Sequence, residues 1–285
     1  MPTSRNAVNN VRLIASCGPA LLLFAVAFAA PLAIVLMLSL GPGNGEQFTL
    51  SHFQEALTDP YFQEIFLRTF KLSAMVSVVA ALVGTLEAFV LHNMQSKLRT
   101  VFLLAILGPL LIAVVVRTLG WSILLGSNGV IAKTLLALGI VETAPNILYT
   151  EIAIFIGLLH MLLPYMVLSV WTALQSYDAR MERAAISLGA TNWQVFQRVT
   201  LPQIIPGILS GAVLVFSLAM SAFATPALLG GRATKVVATA VYDEFLTTFN
   251  WPMGAALGIS LLVINLISTV FINRMIERRF KGVFA

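Results

Sequence analysis

The chain has 285 residues, of which 59% are hydrophobic and only 10% are charged, whereas roughly 25% of the residues in an ordinary soluble domain are charged. Apolar residues collected in runs of about 20 indicate membrane spans rather than a large soluble core. Cys17 is the single cysteine, which excludes an intrachain disulfide and a cysteine-based metal site. The formal net charge of +5 becomes informative only when it is divided among the connecting segments.

Six apolar runs are each long enough for a helix that crosses a bilayer core, which takes about 20 residues. The predicted spans cover residues 19–41, 72–91, 101–125, 152–174, 204–231 and 253–272. The sequence therefore predicts an all-α polytopic protein with six transmembrane helices. In this interpretation, a transmembrane domain over 19–276 lies between the terminal segments 1–18 and 277–285.

The N-terminus has a second interpretation, because it resembles a cleavable signal peptide. Arg5 and Arg12 precede an apolar stretch that contains the small-residue pattern Ala27-Phe28-Ala29. The apolar run nevertheless continues through Leu40, which is too long for the apolar region of a signal peptide. We therefore interpret it as a retained signal anchor.

The distribution of charge predicts the orientation, because cytoplasmic segments are enriched in Lys and Arg. With a cytoplasmic N-terminus, the inner segments carry eleven basic and three acidic side chains, a net charge of +8. These segments are residues 1–18, 92–100, 175–203 and 273–285. The outer segments carry five basic and eight acidic side chains, a net charge of −3. Both termini are therefore expected in the cytoplasm.

The outer segments are long enough to carry structure of their own. They cover residues 42–71, 126–151 and 232–252, and they contain amphipathic pieces over 50–57 and 236–249. We expect these pieces to lie on the membrane surface and to form a platform.

A polar stretch over residues 178–203 separates the fourth and fifth predicted spans. Asp178 is predicted to cap a helix over 180–188, and Gly189 is predicted to end it. Asn192 is predicted to cap a second helix that ends before Pro202. Small residues recur at a helical spacing of three to four residues, which allows a helix to sink into a partner's groove.

The order of residues in this stretch carries a family resemblance. Ala184-Ala185, then Gly189, then nine residues and Val199-Thr200-Leu201-Pro202 resemble the "EAA" loop of bacterial ABC importer permeases. Those permeases are the membrane subunits of binding-protein-dependent uptake systems. Arg183 stands where the family usually has Glu, and Glu182 precedes it.

The resemblance implies a type I ABC importer permease (MetI-like) architecture. It also implies that the loop over 178–203 is a coupling helix that docks on a cytosolic ATP-binding subunit. The residues to which this role is carried over are Arg180, Glu182, Arg183, Ala184, Ala185, Gly189, Leu201 and Pro202.

Further stretches are similar to the spermidine/putrescine-type permeases, so that the resemblance covers about residues 20–280. They include Asp59–Phe62, Arg117–Gly126, Thr225–Gly231 and Asn250–Ala256. This implies a polyamine cargo and location in the bacterial inner membrane. The implied partners are an ATP-binding subunit dimer, a second permease subunit, an extracytoplasmic solute-binding protein and lipid, without nucleic acid. Another small solute, such as an amino acid, a phosphonate or a metal chelate, is the alternative cargo, and an ATP-independent secondary transporter is a further alternative.

The chain lacks the G-x-x-x-x-G-K-[ST] pattern that cradles nucleotide phosphates. It also lacks metal-ligand spacing, a nucleophile elbow and a dinucleotide fingerprint. We therefore expect a transport subunit that is not an enzyme and has no cofactor or metal of its own. ATP and magnesium are expected on the separate ATP-binding subunit.

Ionisable residues inside spans are costly and are the first candidates for a pathway. Glu87 and Arg117 differ in predicted depth by about 17 Å, so we expect no direct pair between them. Glu87 is expected near the inner mouth, snorkelling or contacting a loop, and Arg117 is expected to hold the outer end of the third span against the outer loops. A cation ligand and a gate are their respective alternatives.

Other pathway candidates lie on the fourth and fifth predicted spans. They are Ser217, Ser221, Phe223, Thr225 and Pro226, together with His160 and Tyr165. For Ser and Thr the alternative role is a hydrogen bond to a carbonyl of the same helix. For His160 it is an interhelical hydrogen bond. Pro226 is expected to open the backbone locally.

Overall fold

The structure is a computed structural model that describes residues 3–41, 48–176 and 179–279. Helices are the only regular structure in these ranges. Their bounds are α1 Thr3–Ser39, α2 Ser51–Thr58, α3 Pro60–Asn93, α4 Ser96–Leu111, α5 Val114–Leu125, α6 Val130–Ala137, α7 Glu151–Gln175, α8 Ala179–Ser187, α9 Asn192–Val195, a π-helical turn Phe196–Thr200, α10 Leu201–Met220, α11 Ala224–Leu229, α12 Val237–Leu246 and α13 Trp251–Arg279.

Six stretches within the described residues are long and apolar enough to cross a membrane. They are Leu22–Ser39, Pro60–Asn93, Val114–Ala137, Glu151–Gln175, Asn192–Met220 and Trp251–Met275. The prediction of an all-α, multi-pass membrane protein is confirmed. The amphipathic pieces predicted in the outer segments are also helical, as α2 and α12, and α6 is a further helix that was not predicted.

Two of the predicted spans, over 101–125 and 204–231, are each interrupted by a break. The first stops at Leu111 and resumes at Val114. The second stops at Met220 and resumes at Ala224. Pro226 then lies in the first turn of α11, where its missing N–H would have had no partner within the helix. The backbone therefore opens before Pro226, at residues 221–223.

The chain divides into two compact units, one of residues 1–59 and 241–260 and the other of residues 60–240 and 261–285. In the first unit, Gly254 lies close to the ring of Phe245 and the side chain of Glu244. The larger unit contains a core in which α3, α7 and α10 pack against one another. The larger unit also contains the polar stretch between the fourth and fifth predicted spans that carries the family resemblance.

Small residues bring these three helices close together. A Cβ on Gly84 of α3 would lie 2.7 Å from the Met166 side chain of α7, and one on Gly207 of α10 would lie 2.5 Å from the Ala173 Cβ. The Ser169 hydroxyl donates to the Gly207 carbonyl at 2.8 Å. Serine bonds of this kind hold membrane helices together where lipid offers no competing hydrogen bond.

Candidate functional site

The segment over residues 179–200, called here the linker segment, begins with α8. The helix ends in a Schellman motif, in which the Ala190 N–H donates to the Ala185 carbonyl and the Gly189 N–H donates to the Ile186 carbonyl. Gly189 has φ +85°, the left-handed conformation that glycine adopts without strain. The predicted stop at Gly189 is confirmed. Asp178, the predicted cap at the other end, lies outside the described residues.

Two features of the second half of the linker segment differ from the prediction. Thr191, rather than Asn192, caps α9, and its side chain and that of Gln194 form a reciprocal capping box. The helix also does not end before Pro202, because the π-helical turn carries it into α10. The Leu201 N–H closes this turn on the Phe196 carbonyl. The linker segment and α10 are therefore one continuous helical path from Asn192.

Most side chains of the linker segment are exposed. Arg180, Arg183, Ala184 and Gly189 are exposed, and Glu182 and Ala185 are half-buried. At its end, Leu201 and Pro202 are half-buried at the start of α10. Two large apolar side chains also face solvent, since Leu188 is 89% exposed and Trp193 is 64% exposed. Exposed apolar side chains rimmed by arginines are typical of a protein-binding surface.

Three aromatic rings that the sequence interpretation passed over connect the linker segment to the core. The Trp193 and Phe196 rings stack with centroids 5.7 Å apart. Phe196 in turn meets Phe89 of α3 edge-on at 5.6 Å. The spacing of three residues between Trp193 and Phe196 is a helical neighbour signal visible in the sequence, but the contact of Phe196 with Phe89 joins residues more than 100 positions apart.

The pathway candidates of the fifth span fall into two groups. Ser221 and Phe223 are exposed at the break between α10 and α11, and the Ser221 hydroxyl bonds back to the Ser217 and Leu218 carbonyls. Thr225 and Pro226 are buried, and the Thr225 hydroxyl lies 3.4 Å from that of Thr118 on α5.

Ser217 is half-buried, and its hydroxyl bonds to that of Thr269 on α13 at 3.0 Å. Of these five candidates, Ser221 and Phe223 are thus the ones whose side chains this chain leaves exposed.

Glu87 lies on the wall of an open cavity of about 430 Å³ between α3 and α4. Its neighbours there are apolar, namely Leu86, Val90, Leu91, Phe102, Ala105 and Ile106. None of the ion pairs among the described residues involves Glu87, which agrees with the expectation that Glu87 and Arg117 do not pair.

Arg117 stabilises the break between α4 and α5. Its guanidinium donates to the Pro109 carbonyl at 2.6 Å, one of the carbonyls that the end of α4 leaves without a helical donor. This hydrogen bond joins Arg117 to α4, and the expectation that Arg117 holds the third span against the outer loops stays a prediction. The apolar sequence over 101–125 did not reveal the break between α4 and α5. In an unbroken helix, the Pro109 carbonyl would accept a backbone N–H and would need no side-chain donor.

His160 and Tyr165 lie half-buried on α7. The indole N–H of Trp121 on α5 donates to His160 Nδ1 at 3.2 Å, which is the interhelical hydrogen bond expected as the alternative to a pathway role. Tyr165 packs against the buried core.

We expect Arg117→Met to destabilise the purified protein by about 1–3 kcal/mol, because the Pro109 carbonyl would lose its donor in an apolar environment. Arg117→Lys keeps a cationic donor and should recover part of the loss. The thermal unfolding midpoint in detergent measures both. A stability of Arg117→Met equal to that of the wild type would contradict this role.

The sequence interpretation also missed a charged cluster near the N-terminal end of α3, far from Phe89. Arg68, whose side chain is only 13% exposed, pairs with Glu64 and with Glu151 at the start of α7, and it donates to the Lys235 carbonyl at 3.1 Å. Lys71 adds a second bond to Glu151 at 2.9 Å. These contacts fasten α3 to α7 and to the segment before α12.

An all-helical chain with six membrane spans and an exposed helical linker between the fourth and fifth defines the class of importer permeases. The chain belongs to the family of binding-protein-dependent transport system inner membrane components, whose family model matches residues 21–282. It is thus the permease component of a binding-protein-dependent ABC importer, and the predicted resemblance is confirmed.

Individual relatives agree with this assignment. The chain is 33% identical over 239 residues to the spermidine/putrescine transport system permease protein PotB of Haemophilus influenzae, covering 82% of this chain and 83% of the relative. It is 31% identical over 217 residues to PotB of Escherichia coli strain K12, covering 76% and 78%. Its fold is similar to a chain of a bacterial alginate ABC transporter solved with an alginate pentasaccharide-bound periplasmic protein, with a TM-score of 0.82, 22% identity and 99% coverage of each chain.

Proposed function

We propose that this permease carries a polyamine of the spermidine/putrescine type into the cytoplasm. The observation that carries the proposal is the 33% identity to a spermidine/putrescine permease over 82% of this chain. Polyamines are small organic cations, and the outer segments carry a net charge of −3, which favours the approach of cations. Another small solute is the alternative cargo.

The proposed orientation places both termini in the cytoplasm of a bacterial cell, with the chain in the inner membrane. The net charge of +8 on the four inner segments supports it. The linker segment then faces the cytoplasm. The Arg68–Glu151 cluster, near the N-terminal ends of α3 and α7, would then face outward, where a solute-loaded binding protein would dock.

The linker segment would engage the ATP-binding subunit, which would hold ATP and magnesium and perform the hydrolysis. Its exposed arginines, its small residues around Gly189 and the exposed Leu188 and Trp193 support a docking role. Because α9 and the π-helical turn continue into α10, the docked segment would be joined to a membrane span by a helical path.

The solute pathway would be shared with a second permease subunit. Ser221 and Phe223 are candidates for such a pathway because both are exposed at the break before α11. Glu87, on the wall of the cavity between α3 and α4, supplies a carboxylate for a cationic solute. Thr225, which is buried against Thr118, and His160, which accepts the Trp121 indole N–H, would shape the pathway rather than contact solute.

Reconstitution tests the proposal. Liposomes that contain this chain with its sister permease and ATP-binding subunit are loaded with ATP, and radiolabelled spermidine is added outside with the binding protein. We expect accumulation that requires both ATP and the binding protein and that falls when unlabelled putrescine competes. Uptake driven by an ion gradient without ATP would show a secondary transporter, and ATP-driven uptake of a different solute by the same vesicles would reassign the cargo.

A further inference from the structure

Two connections of the linker segment to the membrane core differ in stiffness. One runs into α10, through the covalent path and a 3.6 Å contact of the Gln203 amide with the Met181 sulfur, and the other is the contact of the Phe196 ring with Phe89 of α3. Which of them carries movement depends on how each resists bending.

The covalent path is the more compliant. It begins with the π-helical turn, a wide turn that is rare in helices. Pro202 and Pro206 follow within α10, and neither has an N–H to donate to the preceding turn. Helices bend at such positions because the backbone ladder has lost bonds there. A movement of the linker segment would therefore be partly absorbed before it reached the rest of α10.

The path through α3 is stiff. After Pro60 at its first position, α3 contains no proline through Asn93. Phe89 and Thr69 lie about 30 Å apart along this helix, at about 1.5 Å per residue. At the far end, the Thr69 hydroxyl accepts the Val237 N–H at 3.0 Å, and Arg68 donates to the Lys235 carbonyl at 3.1 Å.

We infer that the rings of Trp193, Phe196 and Phe89 form an aromatic relay that transmits movement of the linker segment to α3. The helix then delivers it to the backbone at residues 235–237 through Thr69 and Arg68. This inference rests on the proposed docking of the linker segment. It makes Phe196 and Phe89 positioning residues for transport, since they act on the pathway through α3 and need not touch the solute.

Ring-removing substitutions in the complete transporter test the relay. Phe196→Leu keeps an apolar side chain but removes the edge-on contact, and we expect it to lower the number of spermidine molecules imported per ATP hydrolysed by about tenfold. In Phe89→Leu, which lies on α3 outside the linker segment, basal ATP hydrolysis and the amount of bound ATP-binding subunit should stay at wild-type values. Phe89→Leu should give the same loss, and the double variant no greater loss, because each change breaks the same contact.

Two controls separate the relay from general packing. Phe196→Tyr retains a ring and should restore the wild-type ratio. Phe70→Leu removes an edge-on contact of the same kind, between Phe70 of α3 and Phe216 of α10 with centroids 5.5 Å apart, and it leaves the linker segment attached to α3. Its ratio should match the wild type.

An unchanged ratio in Phe196→Leu, or an equal loss in Phe70→Leu, would overturn the inference. Absence of spermidine uptake by the wild type would instead reject the proposed cargo. In that case the relay is tested in the same vesicles by measuring how much the purified binding protein stimulates ATP hydrolysis. Phe196→Leu should lose that stimulation, and Phe196→Tyr should keep it.

Discussion

Gly189→Trp is expected to reduce ATP-driven uptake to background while leaving membrane insertion intact. Gly189 has φ +85°, and a Cβ placed on it would meet nothing within 4 Å. The Cβ itself would therefore clash with nothing, and the indole would add bulk at the exposed end of α8, on the surface that we assign to the ATP-binding subunit. Transport assays in reconstituted liposomes, with the bound ATP-binding subunit quantified alongside, measure the effect.

Backbone strain must be separated from bulk in this experiment, because any side chain at a positive φ costs about 1 kcal/mol. Gly189→Ala carries the same strain without the bulk, so it should retain most of the transport. Gly139→Trp is the matched control for bulk, since Gly139 has φ +66° with nothing within 4 Å of its Cβ and lies outside the linker segment. Equal transport by Gly189→Trp and Gly189→Ala would refute the docking assignment.

The spans and the stop at Gly189 could be predicted because their signals are local. Apolar length alone specifies a membrane helix, and a glycine after a helical run specifies a left-handed end. The cap at Thr191 also had a local signal, the spacing of Thr191 and Gln194, but the neighbouring Asn192 obscured it. The break after Leu111 had no such signal, since it lies inside a run that stays apolar on either side. The break after Met220 had one in Pro226, which was expected to open the backbone locally.

Most features of the candidate site that could not be predicted from the sequence depend on contacts between residues far apart in the chain. Thr225 looked available for a solute from its place on the fifth span, but it is buried opposite Thr118 of α5. The contact of Phe196 with Phe89 likewise depends on how α3 passes the linker segment. A single sequence specifies which residues share a helix face, and the packing of helices decides which faces meet.

The second large effect is expected at Gly207, where α10 packs closely against α7. A Cβ at this position would lie 2.5 Å from the Ala173 Cβ and 3.0 Å from the Ser169 carbonyl oxygen. Both are fixed to the backbone of α7, so relief requires the two helices to separate. Separation would also lengthen the hydrogen bond from the Ser169 hydroxyl to the Gly207 carbonyl. We expect Gly207→Ala to cost about 1–3 kcal/mol and Gly207→Leu to prevent accumulation of folded protein.

Substitutions at two other glycines are expected to cost less stability than Gly207→Ala. At Gly211 the nearest atom to a Cβ is the Met166 sulfur at 2.7 Å, and because a methionine side chain can move aside, Gly211→Ala should cost less. Gly120 of α5 has nothing within 4 Å of the added Cβ, so Gly120→Ala should be neutral or stabilise the helix by up to about 1 kcal/mol. Thermal unfolding midpoints in detergent should therefore rise from Gly207→Ala through Gly211→Ala to Gly120→Ala. If all three midpoints were equal, close contact between α10 and α7 would not be what stabilises the core. The core would then not supply the rigid support that the aromatic relay requires.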